Sequence, residues 1–163
     1  METEYRIIKT DEDVEELSLL ARKIWNVHYP PIIGQEQVDY MLNLMYSADS
    51  LRKQIFEDDN VFTGAFINGK MAGFISVSRT GGKDYFLHKL YVDADLFQKG
   101  IGKGLFDHVF SGIDFETIRL TVNRQNYKAV NFYFKIGYKI EKIIDIDIGG
   151  GFVMNDFVML FKK

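Results

Sequence analysis

The apolar positions of this 163-residue chain change their spacing near residue 61. Before that point they follow a helical period. Val14, Leu17, Leu20, Ala21 and Ile24 recur three and four apart, which places them on one helix face. Thr10 and Asp11 precede them and are suited to cap that helix. Pro30-Pro31 stops it, because proline lacks an amide donor and restricts the residue before it. A second helix is predicted over 35–46, with Val38, Met41, Leu42 and Met45 on one face, and a further helical piece over 51–57. Residues 5–9 read as a short first strand.

After residue 61 the pattern is that of strands. Residues 61–67 and 71–78 flank Asn68-Gly69-Lys70, and Asn-Gly tolerates the positive φ angles of a tight hairpin turn. A strand over 85–92 follows, then a helix over 101–110, a strand over 118–122 and a helix over 127–136 that Gly137 terminates. Strands over 138–148 and 152–161, turned by Gly149-Gly150-Gly151, close the chain. This order predicts a mixed α/β fold, a sheet with helices on its faces. No repeat or linker divides it, so residues 1–163 read as a single domain.

Composition adds exclusions. Hydrophobic residues make up 47% of the chain and aromatics 15%, enough for a packed, sheet-rich interior. The chain has 20 basic and 23 acidic residues, too balanced for a nucleic-acid binder. It has no cysteine, which excludes disulfides, thiolate metal sites and a covalent Cys intermediate. The polar, acidic start is unlike a signal peptide and no apolar run approaches bilayer length, so a soluble, cytoplasmic protein without membrane partners is expected. His28, His88 and His108 show no metal-ligand spacing, and no metal is expected.

The chemistry lies between residues 90 and 138. The strand Leu90-Tyr91-Val92 runs into a Gly-rich loop, Gln98-Lys99-Gly100-Ile101-Gly102-Lys103-Gly104, which opens a helix. Free amides at a helix N-terminus attract phosphate oxygens, and glycine permits their close approach. The ATP-loop pattern with Gly-Lys-Ser/Thr is absent, and Gly-x-Gly-x-Gly departs from the dinucleotide pattern Gly-x-Gly-x-x-Gly.

The loop instead resembles the pyrophosphate loop of the GNAT acyltransferases, commonly Gln/Arg-x-x-Gly-x-Gly/Ala. The stretch from Asn126 through Ala129 and Tyr133 to Gly137-Tyr138 resembles the second signature of that family, in the right order after the first. The resemblance implies a central mixed, mostly antiparallel twisted sheet with helices on both faces, splayed between strands 4 and 5. It implies acetyl-CoA as co-substrate, its pantetheine arm on the backbone of Leu90, Tyr91 and Val92. Its pyrophosphate would lie on Gln98, Lys99, Gly100, Ile101, Gly102, Lys103 and Gly104, with Asn123 and Asn126 at the coenzyme arm. Tyr133 matches the general acid that protonates the departing thiolate, by direct attack in a ternary complex.

The base is His88, two residues before Leu90 where several members of the family place a carboxylate, or else a water relay. Trp25, His28, Tyr29 and Tyr40 are candidates for an amine pocket, because aromatic faces attract cations; core packing is the alternative for Trp25. The expected activity is acetylation of a primary amine on a small molecule such as a polyamine or amino acid. A protein N-terminal or lysine acetyltransferase and a non-catalytic acyl-CoA-binding module are the alternatives. Oligomeric state stays open, a homodimer included.

Overall fold

A computed structural model describes residues 2–163, apart from the side chains of residues 97–99. Packing divides the chain into two compact units, Met1–Ser78 with Lys89–Ile113, and Arg79–His88 with Asp114–Lys163.

The first unit holds β1 (Thr3–Ile7), α1 (Asp11–His28), α2 (Pro30–Ile33), α3 (Gln35–Tyr46), α4 (Ala48–Phe56), β2 (Val61–Ile67), most of β3 (Lys70–Gly81), the end of β4 (Asp84–Val92), a 3₁₀ segment (Ala94–Lys99) and α5 (Ile101–Phe110). Thr10 caps α1 as expected, accepting from the Asp13 amide at 3.1 Å. Arg6 of β1 pairs with Asp13 of α1 at 2.6 Å and lies over the Phe66 ring. Its neighbour Tyr5 stacks on His108 of α5, with ring centroids 5.0 Å apart. Consecutive strand residues point to opposite faces, so α1 and α5 cover opposite faces of β1 and β2.

Some local expectations shift, among them the helical piece expected over 51–57, which runs from Ala48 to Phe56 because the Ser47 side chain caps it. The first strand runs from Thr3 to Ile7 rather than over 5–9, because its antiparallel ladder with β2, Thr3↔Ile67 to Ile7↔Thr63, sets its bounds. Pro30-Pro31 does follow the end of α1, but the prolines then open a one-turn helix of their own, since proline suits a first helical turn. The hairpin between β2 and β3 turns at Asn68 and Gly69, both at positive φ (53° and 77°).

The second unit holds β5 (Thr117–Asn123), α6 (Tyr127–Ile136), β6 (Lys139–Gly149) and β7 (Phe152–Lys162), with the start of β4. Ile118, Leu120 and Val122 are buried on one face of β5, and their ladder partners Phe161, Met159 and Phe157 share that face. The end of α6 packs there: Tyr138 meets Phe161 at 5.5 Å, and Gly137 leaves room for the same ring. The opposite face carries Arg119, Thr121 and Asn123 with Leu160, Val158 and Asp156.

The strand order is β1-β2-β3-β4-β5-β7-β6, a seven-stranded mixed sheet. The β4–β5 pair is parallel, and among the described residues its ladder covers three pairs, Asp84↔Thr117 to Phe86↔Arg119. Among the described residues no helix is long and apolar enough to cross a membrane.

Candidate active site

The Gly-rich loop is built from the end of β4. The Asp93 amide donates to the Ala72 carbonyl at 2.8 Å, which ties the loop entrance to β3. The Asp93 carboxylate accepts from the Asp95 amide and pairs with Lys23 of α1 at 2.8 Å. Burial raises its pKa, but the Lys23 and Asp95 contacts leave it below the usual value. Gly73 lets β3 approach β4 closely, since a Cβ there would come within 2.8 Å of the Tyr91 carbonyl oxygen.

Gly100 then adopts φ 71° and caps α5 without a side chain, so no side-chain oxygen occupies the amides of the first turn. Those amides lack intrahelical acceptors and carry the positive end of the helix dipole, as an anion site requires. Ile101 is buried and anchors the turn. Gly104 is spent differently from the other loop glycines. Its amide donates to the Gly100 carbonyl, and a Cβ on it would collide with the Tyr5 hydroxyl. The glycine there serves helix-to-strand packing. Lys103 pairs with Asp107 one turn on. The side chains of Gln98 and Lys99 lie outside the described residues.

The second unit carries the other expected residues. Asn126 caps α6, accepting from the Ala129 amide at 3.3 Å, and is buried. Asn123 accepts from the Gln125 amide at 2.8 Å, which turns the chain from β5 towards α6. Each thus uses its carbonyl oxygen locally. Tyr133 is buried on α6, its ring 5.3 Å from that of Tyr138. His88 is exposed and lies 4.9 Å from Phe86, ring to ring, on the face of the sheet that bears Arg119.

In the first unit lie the aromatic residues singled out in the sequence. Trp25 and Tyr29 are buried together, 4.3 Å between ring centroids, with Tyr91 5.8 Å from Trp25 and the Tyr29 and Tyr91 hydroxyls 3.3 Å apart. His28 meets Tyr29 edge-on at 4.8 Å. Tyr40 is half-buried on α3. The Trp25 indole N–H has no acceptor among the described residues. Leu90 and Val92 flank Tyr91 along β4 and are half-buried.

Two buried charged groups escaped the sequence reading. Lys89 is 8% exposed, donates to the Gln54 side chain at 2.7 Å and sits near the Tyr46 and Phe62 rings. Burial pulls its pKa down to about 8. Asp156 is 1% exposed on β7. The available signal for both was a single charge inside an apolar strand, Leu87-His88-Lys89-Leu90 and Asp156-Phe157-Val158-Met159.

Comparison with known proteins agrees with this architecture. Residues 31–142 match the family model described as the acetyltransferase (GNAT) domain. The spermidine N(1)-acetyltransferase of Thermoplasma acidophilum is 32% identical over 150 residues, covering 88% of this chain and 90% of that protein. The crystal structure of the PaiA N-acetyltransferase from Thermoplasma acidophilum in complex with coenzyme A superposes with a TM-score of 0.83 at 30% identity, over the whole of both chains. A GCN5-related N-acetyltransferase from Rhodopseudomonas palustris shares the fold, TM-score 0.81 at 17% identity, over 100% of this chain and 97% of that one. With its family model matched over most of its length, this chain belongs to the GNAT acetyltransferase family.

Proposed function

We propose that this GNAT acetyltransferase transfers acetyl from acetyl-CoA to a primary amine of a small molecule. The observation that carries the coenzyme assignment is the start of α5, where left-handed Gly100 leaves the first-turn amides without a side-chain cap. Ile101, Gly102 and Lys103 supply those amides to the pyrophosphate, and the backbone of Leu90 to Val92 pairs with the pantetheine arm. Asn123 and Asn126, rigid because each is already bonded in its own turn, contact that arm.

The amine attacks the thioester carbon, the C–N bond forms, and the C–S bond breaks. Tyr133 donates its phenolic proton to the departing thiolate and recovers one from the amine nitrogen. A phenol holds that proton at neutral pH. His88 is open to solvent and can accept the proton of the incoming ammonium and pass it to water. Trp25 and Tyr29 offer aromatic faces of the kind that suit a cationic substrate.

The small-amine reading is supported by the likeness to a spermidine acetyltransferase over nearly the whole chain. The test is release of CoA thiol from acetyl-CoA across a panel of polyamines, monoamines, amino acids and peptides. Turnover of small amines in preference to peptides is expected. Preference for a peptide N-terminus or lysine would replace this reading with protein acetylation.

A further inference from the structure

Lys23 of α1 donates to two carboxylates of the segment that follows β4, Asp93 at 2.8 Å and Asp95 at 3.2 Å. Asp93 is buried and already holds that segment from two sides. Its amide donates to the Ala72 carbonyl, and its second carboxylate oxygen accepts from the Asp95 amide at 3.1 Å, which caps the 3₁₀ turn. Burial alone would raise the Asp93 carboxyl, but the Lys23 and Asp95 contacts keep it below the usual range, and the two acids raise Lys23 in return. The cluster is therefore ionised at neutral pH. Folding stability does not account for it, because Lys23 is half-exposed and an ion pair open to water contributes little.

The two acids stand at the entrance to the loop that leads into α5. Asp95 precedes Gly100 by five residues, and a 3₁₀ rise of about 2.0 Å per residue keeps its backbone within about 10 Å of the first-turn amides. That is about one Debye length at physiological salt, so an uncompensated carboxylate there repels a phosphate and offsets the attraction of the helix dipole. Lys103, in the first turn of α5, is engaged by Asp107, and Lys70 acts on Asp93 only through its charge. We propose that Lys23 is a positioning residue for acetyl-CoA: by neutralising Asp93 and Asp95 and fixing their turn, it lets the loop accept the phosphates of the coenzyme. The inference rests on the acetyl-CoA reading above and adds a residue seventy positions from Asp93, on the helix that also carries Trp25 and His28. Lys23 acts through the two acids and not by touching the coenzyme.

The test is calorimetric binding of CoA to the full chain, with steady-state kinetics on acetyl-CoA. Lys23→Met removes the charge at similar length, Lys23→Arg keeps it, and Asp93→Asn removes one acid while its amide oxygen still accepts from the Asp95 amide. Lys53→Met removes another exposed, ion-paired lysine, the partner of Asp58, and controls for net charge. Expected for Lys23→Met is roughly tenfold weaker CoA binding and a matching rise in KM for acetyl-CoA, with kcat, the KM for the amine and Tm nearly kept. The loss should shrink as salt rises from about 20 to about 500 mM, because salt screens the exposed acids. Lys23→Arg should bind CoA within about threefold of the unsubstituted protein, since it keeps the charge. Adding Asp93→Asn to Lys23→Met should recover part of the loss.

Unchanged CoA affinity in Lys23→Met overturns the proposal, as does an equal loss in Lys53→Met, which would mean diffuse attraction. A loss that comes with a large fall in Tm, that salt leaves unaltered, or that Asp93→Asn does not relieve also overturns it, because each indicates a structural role. If the unsubstituted protein binds no CoA, the acetyl-CoA reading itself fails and the role of Lys23 with it. CoA binding that Lys23→Met leaves intact removes the role of Lys23 alone.

Discussion

Asp156 stands opposite Asn123 across the β5–β7 ladder, one side chain bound into a turn and the other a buried carboxylate near the Thr121 hydroxyl. The two residues meet where β5 gives way to α6, so the buried carboxylate adjoins the turn that positions Asn126. The pairing has a thermodynamic consequence. The folded-state pKa of Asp156, about 6, lies above its ordinary value, so the protonated form favours folding. That contribution is full below the unfolded pKa and is lost as pH rises through about 6. Asp156→Asn should therefore gain stability relative to the unsubstituted protein between pH 4 and pH 7. The gap of about two pKa units sets its size at about 2–3 kcal/mol. Urea titrations at several pH values check this, and parallel stability curves for the two proteins would refute it.

Lys89 gives the opposite slope in a different window. Burial lowers its pKa to about 8, so between roughly pH 8 and pH 10 the unfolded chain binds more protons than the folded one. Stability should rise with pH across that interval. In Lys89→Met the rise should be absent, since the aliphatic body still fills the space beside Tyr46 and Phe62 but carries no proton. Thermal melts at pH 7.5 and 9.5 are sufficient.

Gly104→Ala should destabilise the fold by about 1–3 kcal/mol, because the new methyl group meets the Tyr5 hydroxyl. Tyr5→Phe removes the oxygen and should recover part of that loss in the double variant. A double-mutant cycle with no coupling between the two positions would mean that α5 shifts instead of clashing.

Tyr133→Phe should lower kcat by about a hundredfold or more while acetyl-CoA affinity stays within about twofold, the outcome expected for loss of a proton donor alone. The edge-on ring contact with Tyr138 is kept, so Tm should change little. Calorimetry and steady-state kinetics separate the two quantities. An unchanged kcat with chemistry rate-limiting would leave Tyr133 as a core residue.

What the sequence determined by itself was local. Helices α3, α5 and α6 fall on the residues that their apolar spacing and glycine stops select, because a helix satisfies its hydrogen bonds within its own segment. The Asn68-Gly69 turn and the Gly137 stop follow from backbone sterics at those residues alone. The two signature segments were legible for the same reason, each being a run of adjacent residues.

Tertiary structure decided what depends on a distant partner. The bounds of β1 were set by β2, some sixty residues away, because a strand has no hydrogen bonds of its own to mark its ends. Period two showed that Leu87, His88 and Lys89 alternate, but only packing showed that Lys89 lies against Gln54 while His88 meets solvent. The sequence places Gly104 in the Gly-rich loop, and only the fold shows that a side chain there would also meet Tyr5. Asp156 read as one more polar residue in a closing hairpin. Its burial on the face of β7 that Thr121 and Val158 share arises from how β5 and β7 pair, an arrangement that no run of neighbouring residues encodes.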